Sequence, residues 1–281
     1  VELPVSYFDH HKEELDKIAS YDNFMKDCSE LLVFRPKNKE FHSVPTDPCI
    51  YHSTVNKGKD LICYDHKSNK LVDYTHFMNA SMVLTGCAYN NDLSKLGIAT
   101  LANLRAFDKV PMGTKCLDNW CEINVVANNL SPKQSFGNLI KQFKQKLIDF
   151  RKPEVMRECL KATAEMHPYS CLINGGLILL SSSMGLHKPT GMLNDVWVQA
   201  TMNSIEPHVY LVNQTISKIV HDELQVVTRL QAPPTQISSS EFDVYAQGLD
   251  FTMKNIPLEL SLDKAVDEIS KFMNKYRKDH F

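Results

Sequence analysis

The order of strands and helices predicted for residues 97–150 constrains the fold more than any other feature of the sequence. Residues 97–105 form a short apolar run, and residues 120–126 form another, so we predict a strand at each. Residues 131–134 match a capping box with proline at the first helical position. Apolar residues then follow at three-to-four spacing as far as Phe150, which predicts an amphipathic helix. This order indicates a sheet with helices packed on it.

The following segment adds a second helix and three further strands. A helix is predicted over residues 153–166, where apolar side chains share one face. Residues 172–185 form an apolar run that ends in small residues, which is typical of a strand buried on both faces. Apolar and polar residues alternate over 196–202 and over 224–230, the pattern of half-buried strands. The strands therefore lie mostly in the middle of the chain.

Further helices are predicted at residues 75–89 and at the end of the chain, after Ser238–Ser240 and after Ser261. Residues 34–58 contain three prolines and are predicted to be a long irregular connection. The fold class that these elements predict is α/β (α+β), with a mixed sheet covered by helices.

We divide the chain into an N-terminal helical and irregular segment, residues 1–70, and a main lobe, residues 71–281. At 281 residues the chain is longer than a typical domain of about 100–150 residues. It begins with Val1 instead of methionine, so we expect a product of processing.

The succession of elements from Val72 to Ile256 resembles the second lobe of the chloramphenicol-acetyltransferase-like superfamily. That superfamily includes nonribosomal condensation domains, alcohol acyltransferases and wax-ester synthases. Residues 99–105 resemble its strand that ends in Asn-Leu-Arg. Residues 181–185 resemble its Ser-Asn-x-Gly strand end, with Ser183 where asparagine is usual, and residues 240–256 resemble its late helix. The resemblance implies one lobe of a two-lobed acyltransferase fold.

Members of this superfamily use a His-His-x-x-x-Asp-Gly motif, whose second histidine is the general base. No segment of this chain supplies the motif. The nearest approach is His10-His11, but one residue too many precedes Asp16 and no glycine follows it. Its surroundings predict an exposed acidic helix instead of a catalytic loop. We therefore assign no catalytic residue, and the resemblance implies that the base lies on a missing or separate N-terminal lobe, with a chain cut from the same precursor as the expected partner.

The resemblance also implies a set of substrate-binding residues: Arg105, Ser183, Met184, His187 and Asn194. Arg105 would fix a strand end by an ion pair, and the others would line a channel. The first predicted function is thus an acyltransferase lobe, with acyl-CoA as co-substrate and a hydroxyl or amine as acceptor. The alternative is a secreted, non-catalytic protein that binds a pigment or another small apolar ligand on the same fold. The absent motif favours this alternative if the chain acts alone.

Cysteines and glycosylation sequons bear on the compartment. The chain has eight cysteines but no Cys-x-x-Cys pair, so a zinc site is not predicted. Cys116 and Cys121 form either a local disulfide or free buried thiols, and their spacing leaves both open. Asn79, Asn129 and Asn213 match the acceptor pattern for glycosylation. With the start at Val1, these features lead us to expect passage through the secretory pathway.

Several classes of protein are disfavoured. The net charge of −2 with scattered basic residues argues against a nucleic-acid partner. No apolar stretch reaches the ~20 residues of a membrane helix. The phosphate-loop and dinucleotide fingerprints are absent, so no bound cofactor is predicted. Ser183, His187 and Asp195 lack the Gly-x-Ser-x-Gly turn that would expose a nucleophilic serine.

Overall fold

The computed structural model describes residues 12–35, 49–103, 120–165, 177–188, 210–234 and 236–281. Helices in this part of the chain are α1 (Lys12–Leu15), α2 (Asp22–Ser29), α3 (Tyr74–Asn90), α4 (Phe136–Phe150), α5 (Pro153–Glu165), α6 (Ser239–Asn255) and α7 (Leu262–His280). The strands are β1 (Val33–Phe34), β2 (Ile50–Lys57), β3 (Tyr64–Asp65), β4 (Lys70–Leu71), β5 (Gly97–Asn103), β6 (Trp120–Val126), β7 (Leu177–His187), β8 (Tyr210–Val220) and β9 (Glu223–Ala232).

Seven of the described strands form one mixed sheet. Its order is β2-β9-β8-β7-β5-β6, and β1 pairs with the start of β7 beside β5. The pairs β5–β7 and β7–β8 are parallel, and the other pairs in the sheet are antiparallel. The strands β3 and β4 form a separate small hairpin. This architecture confirms the predicted fold class.

Helix α3 packs directly on the middle of the sheet. A Cβ atom built on Gly86 of α3 would lie 3.3 Å from the Cδ1 atom of Leu179 on β7. Helices α6 and α7 pack against α3, since the Ser270 hydroxyl donates to the Ala88 carbonyl and the Tyr245 hydroxyl donates to the Met82 carbonyl. Thirteen of the residues of α3 are buried. The apolar core therefore lies between this helical layer and the sheet.

The strongly periodic helices are found close to where the sequence predicts them. The start of α4 is a correction, because the helix begins at Phe136 and the Ser135 side chain is its cap, accepting from the Asn138 amide. Residues 131–134, predicted as the capping box, form a turn instead. The Gln134 carbonyl in that turn accepts from the Leu262 amide. The turn therefore ties the start of α4 to the start of α7.

The prediction that residues 34–58 form an irregular connection is wrong for the part that the structure describes. Strand β2 occupies residues 50–57 and pairs with β9 along its whole length. Residues 36–48 lie outside the described residues, as does the strand predicted at 196–202. Conversely, β8 at residues 210–220 was not predicted.

The N-terminal segment shares the core of the main lobe. Phe24 on α2 is buried, and its amide donates to the carboxylate of Glu158 on α5 at 3.0 Å. Glu14 on α1 forms an ion pair with Arg157 at 2.7 Å. Together with the pairing of β1 and β2, these contacts make residues 12–35 and 49–70 part of one sheet-and-helix unit with the rest of the described chain.

Candidate functional site

A cavity of 660 Å³ opens where the parallel strands β7 and β8 end, and we call it the sheet-end cavity. Its walls come from three parts of the fold. The β3–β4 hairpin and the first turn of α3 contribute Tyr64, Asn69, Lys70, Leu71, Tyr74 and Thr75. The last residues of β7 and β8, Lys188 after β7, the β8–β9 turn and the start of β9 contribute Ser183, Gly185, Leu186, Lys188, Ser217, Ile219, Asp222 and Leu224. Ligand sites often lie at the carboxyl ends of parallel strands.

A bulge in β7 widens the sheet at this point. Ser183 pairs with Thr215 and Leu186 with Ser217, so β7 advances three residues while β8 advances two. The extra residue falls next to Gly185, whose φ of 79° suits glycine because it has no Cβ atom. Met184 and Leu186 are exposed. The bulge at Ser183–Leu186 therefore interrupts the regular pairing of β7, and these residues form part of the cavity wall.

The lining of the cavity mixes apolar side chains with two cations. Leu71, Leu186 and Ile219 supply apolar surface, whereas Lys70 and Lys188 are exposed at the mouth. Asp222, in the two-residue turn between β8 and β9, is an acidic lining residue. Such a lining suits a molecule with an apolar chain and an anionic end.

Behind the cavity, polar side chains continue along the sheet face beneath α3. Asn213, Thr215 and Ser217 alternate along β8, so they point to the same face, and only Ser217 reaches the cavity. Thr215 lies opposite Thr228 on β9, and Asn213 lies beside Ser181 on β7. Asn213 and Ser181 are 0% exposed. A polar strip thus leads from the cavity into the core.

The first turn of α3 also brings polar groups into this region. The Tyr74 hydroxyl is buried and faces the hydroxyls of Thr215 and Thr228, and burial raises the pKa of Tyr74 far above its usual value. None of these three hydroxyls has a partner at both hydrogen-bonding distance and angle. Burial lowers the pKa of His76 in the same turn. The nearby charge of Asp73 raises this pKa, whereas the charges of Lys144 and Arg151 lower it further. These groups are therefore neutral at physiological pH.

The predicted substrate-binding residues are only partly brought together. Ser183 lines the sheet-end cavity, and its role in substrate binding stays a prediction. Met184 is exposed beside it, and His187 ends β7 with a buried Nε2 atom that has no partner within the structure. Arg105 and Asn194 lie outside the described residues, so their roles stay predictions. Sequence reasoning missed Tyr74, because a tyrosine at a helix start carries no recognisable motif.

No histidine occurs among the described residues that line the cavity. His10 and His11 lie outside the described residues. In the described ranges, no group of three or more histidine, cysteine or acidic side chains is arranged to hold a metal ion. The described lining can therefore bind and orient a substrate, but it contains no imidazole that could accept a proton from it.

The glycosylation sites differ in their accessibility. The Asn79 and Asn213 residues are 0% exposed, which disfavours a glycan at either position in the folded chain. Asn129 is exposed in the loop before α4, with a φ of 59°. All three acceptors stay predictions, and the burial favours Asn129.

Five described cysteines are buried: Cys28, Cys49, Cys63, Cys87 and Cys159. Burial raises the pKa of Cys63 to about 12 and that of Cys87 further. Cys116 lies outside the described residues, and the side chain of Cys121 is not described either. The pairing of these last two cysteines therefore stays a prediction.

A second cavity, of 420 Å³, lies between α2, α4, α5 and β6. Lys146 on α4 forms an ion pair with Asp27 on α2 in its wall. Burial raises the pKa of Asp27, although the hydrogen bond and the charge of Lys146 act in the opposite direction. Since Lys146 joins α4 to α2, we interpret this cavity as a gap between packed helices.

None of the helices in the described ranges is long and apolar enough to cross a membrane.

Comparisons with known proteins reveal similarity of structure alone. No protein-family model and no curated protein matches the sequence. The starter condensation domain of rhizomide synthetase, as a mutant in complex with C8-CoA and Leu-SNAC, is similar with a TM-score of 0.58 at 11% identity, over 91% of this chain and 57% of that chain. The X-domain and OxyB complex from teicoplanin biosynthesis is similar with a TM-score of 0.53 at 11% identity, over 92% of this chain and 55% of that chain. The likeness shows a condensation-domain lobe fold, and this chain spans less than two thirds of either structure.

Proposed function

We propose that this chain is the C-terminal lobe or subunit of a CoA- or carrier-dependent acyltransferase whose catalytic histidine lies on a separate N-terminal lobe. The observation that carries the proposal is the sheet-end cavity, a substrate-sized space at the ends of β7 and β8 with no histidine among its described lining residues. Known ligand cavities measure about 300–1,000 Å³, so the space suits a small acyl group with its acceptor.

The charges and the apolar surface of the cavity support an acyl thioester as ligand. Lys70 and Lys188 at the mouth match the phosphates of CoA or of a phosphopantetheine arm. Leu186 and Ile219 offer apolar surface to the acyl chain. One of the structures with this fold was crystallised with C8-CoA, which is consistent with such a ligand.

In the proposed reaction, an acceptor hydroxyl or amine attacks the thioester carbonyl. The acceptor gives its proton to the histidine of the other lobe, the carbon–sulfur bond breaks, and the CoA thiolate takes the proton from that histidine. The residues of this chain bind and orient both substrates, which lowers the entropic part of the barrier. The chain alone should therefore bind the thioester without turning it over.

Binding of octanoyl-CoA, measured by isothermal titration calorimetry, tests this proposal. We expect the wild-type chain to bind it and the Lys188→Glu variant to bind it at least about tenfold more weakly, because a repelling charge replaces an attracting one. Lys67→Glu is the matched control, since Lys67 is exposed in the β3–β4 hairpin but does not line the cavity. Equal affinities for all three proteins would overturn the proposed site.

The alternative function, a non-catalytic binding protein for an apolar ligand or pigment, is favoured by the same lack of a histidine in the described lining. The two functions differ in whether the CoA part of a thioester contributes to the binding affinity. An acyltransferase lobe binds octanoyl-CoA more tightly than octanoic acid, whereas a carrier of apolar molecules does not require the CoA part. Release of free CoA by the chain alone would contradict both functions.

Passage through the secretory pathway and a partner lobe from the same precursor belong to this proposal as well. Intact mass of natively purified protein, with and without reductant and glycosidase, tests them together. We expect a second chain that carries His-His-x-x-x-Asp-Gly and a glycan at the exposed Asn129. A single unmodified chain would rule out the partner lobe and the glycan and leave the carrier function.

A further inference from the structure

Between α3 and the sheet lies a group of six polar side chains with buried, unpaired polar atoms, which we call the polar chamber. They are Tyr74, Asn79, Ser181, Asn213, Thr215 and Thr228. The last five are between 0% and 3% exposed as whole residues. For each of the six, a hydroxyl or both amide atoms lack a described partner at both hydrogen-bonding distance and angle. The Tyr74 hydroxyl lies close enough to those of Thr215 and Thr228 for weak hydrogen bonds, so the amides of Asn79 and Asn213 and the Ser181 hydroxyl are the groups left without any partner in the described ranges.

The strand register places the sheet residues of the chamber side by side. Ser181 pairs with Asn213 across β7–β8, and Thr215 pairs with Thr228 across β8–β9. Asn213 and Thr215 point to the same face because they are two residues apart on β8. Leu179, two residues before Ser181, is the β7 residue nearest to Gly86 of α3, so this face is the one beneath α3.

Helix α3 closes the chamber from above. Asn79 lies two helical turns before Gly86 and therefore on the side of α3 that faces β7. Tyr74 starts the helix, and its hydroxyl faces Thr215 and Thr228. Tyr74 belongs to the chamber and also lines the sheet-end cavity, and the cavity residues Ser183 and Ser217 lie two residues beyond Ser181 and Thr215, so the chamber adjoins the inner end of the cavity.

The free-energy cost of unpaired buried polar groups indicates that the chamber holds a molecule that forms hydrogen bonds. A buried polar group left without a partner costs about 1–3 kcal/mol, and native proteins contain few of them. Several adjacent side chains of this kind would remove much of the stability of a domain of this size. The chamber must therefore hold ordered water or the polar part of a ligand.

The chemistry of the chamber restricts that ligand to an uncharged group. Its members are hydroxyls and carboxamides, which both donate and accept hydrogen bonds. None of the six carries a charge, so an ionic group brought there would lose its hydration without a counter-charge. A hydroxyl or a carboxamide fits, whereas a carboxylate or an ammonium group does not.

We propose that the polar chamber binds an uncharged hydroxyl or carboxamide group of the acyl acceptor and so positions the acceptor for attack in the sheet-end cavity. The inference rests on the proposed acyltransferase function. It makes the acceptor a neutral molecule with a second hydrogen-bonding group besides the one that is acylated. The acyl donor stays at the mouth, next to Lys70 and Lys188.

Octanamide and octanoate are matched probes, because they share their chain length and differ in the charge of the head group. We expect calorimetry near neutral pH on the Lys70→Gln, Lys188→Gln double variant, in which no lysine at the mouth attracts the octanoate carboxylate, to show octanamide binding at least about tenfold more tightly than octanoate. The Thr215→Val variant should lower the octanamide affinity about fivefold, since it removes one hydrogen bond while keeping the side-chain shape. Thr228→Val should act in the same direction.

Thermal unfolding of the same variants separates a ligand chamber from a structural water site. Thr100→Val is the matched control, because the Thr100 hydroxyl is buried in the same sheet but donates to the Ser181 carbonyl at 2.8 Å. We expect Thr100→Val to lower the melting temperature and to leave octanamide binding unchanged, and Thr215→Val to leave the melting temperature unchanged or to raise it.

Two results would overturn the inference: octanamide binding to the double variant no more tightly than octanoate, or Thr215→Val destabilising the chain as much as Thr100→Val does. Its failure can be told apart from failure of the proposed function. If the wild-type chain binds octanoyl-CoA but the Lys70→Gln, Lys188→Gln variant shows no preference for octanamide, only the acceptor site is wrong. If it does not bind octanoyl-CoA, the acyltransferase proposal itself fails.

Discussion

At Gly97 the N-terminal segment lies directly against the start of a central strand. Its carbonyl accepts from the Leu32 amide at 2.9 Å, and a Cβ atom at this position would lie 2.8 Å from the Glu30 carbonyl oxygen. A backbone oxygen cannot rotate away as a side chain can. A glycine here thus allows residues 30–32 to lie directly against the start of β5.

The substitution Gly97→Ala should lower the free energy of unfolding by about 2 kcal/mol, because the added methyl group forces the two backbone segments apart. Chemical denaturation followed by circular dichroism measures the change. Gly185→Ala is the control, since nothing lies within 4 Å of a Cβ atom there and only the positive φ resists the change. Its cost should be about 1 kcal/mol. A smaller effect at Gly97 than at Gly185 would contradict the close approach.

Buried thiols provide a second prediction for single residues. Burial raises the pKa of Cys63 to about 12 and also raises that of Cys87. Since only the thiolate reacts, about one Cys63 side chain in ten thousand is reactive near pH 8. Peptide mapping after iodoacetamide treatment should find both cysteines unlabelled in the folded chain and labelled in denaturant. Labelling of either one in the folded chain would show that it is exposed.

Three helices of the layer above the sheet meet at one carboxylate. Glu241, in the first turn of α6, accepts two hydrogen bonds from Arg277 of α7, at 2.8 and 2.9 Å. It also accepts one from the Tyr89 hydroxyl of α3. The side chains of Glu241 and Arg277 are 13% and 26% exposed, so the pair is only partly screened by water. Helices α3, α6 and α7 are thereby fixed relative to one another.

The substitution Glu241→Gln should lower the free energy of unfolding by about 1–3 kcal/mol, because Arg277 loses its charged partner and one paired hydrogen bond. Urea denaturation provides the measurement. Asp267→Asn breaks the exposed ion pair with Lys271, whose side chain is 74% exposed, and should change stability by less than about 0.5 kcal/mol. Equal effects of the two substitutions would mean that the three-helix contact contributes nothing specific.

Elements with a clear apolar period were predictable from the sequence, whereas β2 and β8 were not. Asn213, Thr215 and Ser217 occupy the buried face of β8 where apolar residues are expected, so the strand has no alternation of hydrophobicity. The same residues belong to the polar strip that leads inward from the cavity. Ser183 was predicted in the site from a resemblance, but Tyr74 and the β3–β4 hairpin meet it only through the fold.

At the scale of the whole molecule, the described N-terminal residues complete the sheet. Strand β2 covers the free edge of β9, and β1 pairs with β7 at Leu177 and Ile178. The described residues before and after residue 70 therefore share one sheet and one apolar core, and we expect the described ranges to unfold as one cooperative unit.

A fragment of residues 71–281 should accordingly fail to fold, because it exposes the edge of β9 and the surface that α2 covers on β6 and α5. Near-ultraviolet circular dichroism and urea denaturation of the fragment and of the full chain test this. The full chain should give one transition with coincident curves for different probes. A fragment that unfolds cooperatively at the same urea concentration would establish two independent units.

The central position of the parallel strands has a consequence for the rate of folding. Strand β7 pairs with β5 through Thr100 and Ser181, residues far apart in sequence, whereas β8 and β9 meet through a two-residue turn. Closing the long loop between Thr100 and Ser181 costs conformational entropy before the β5–β7 hydrogen bonds form. We therefore expect the β8–β9 hairpin to form early and the β5–β7 pairing to form late. Until that late step, β7 exposes an apolar edge, and refolding yield should fall steeply as protein concentration rises.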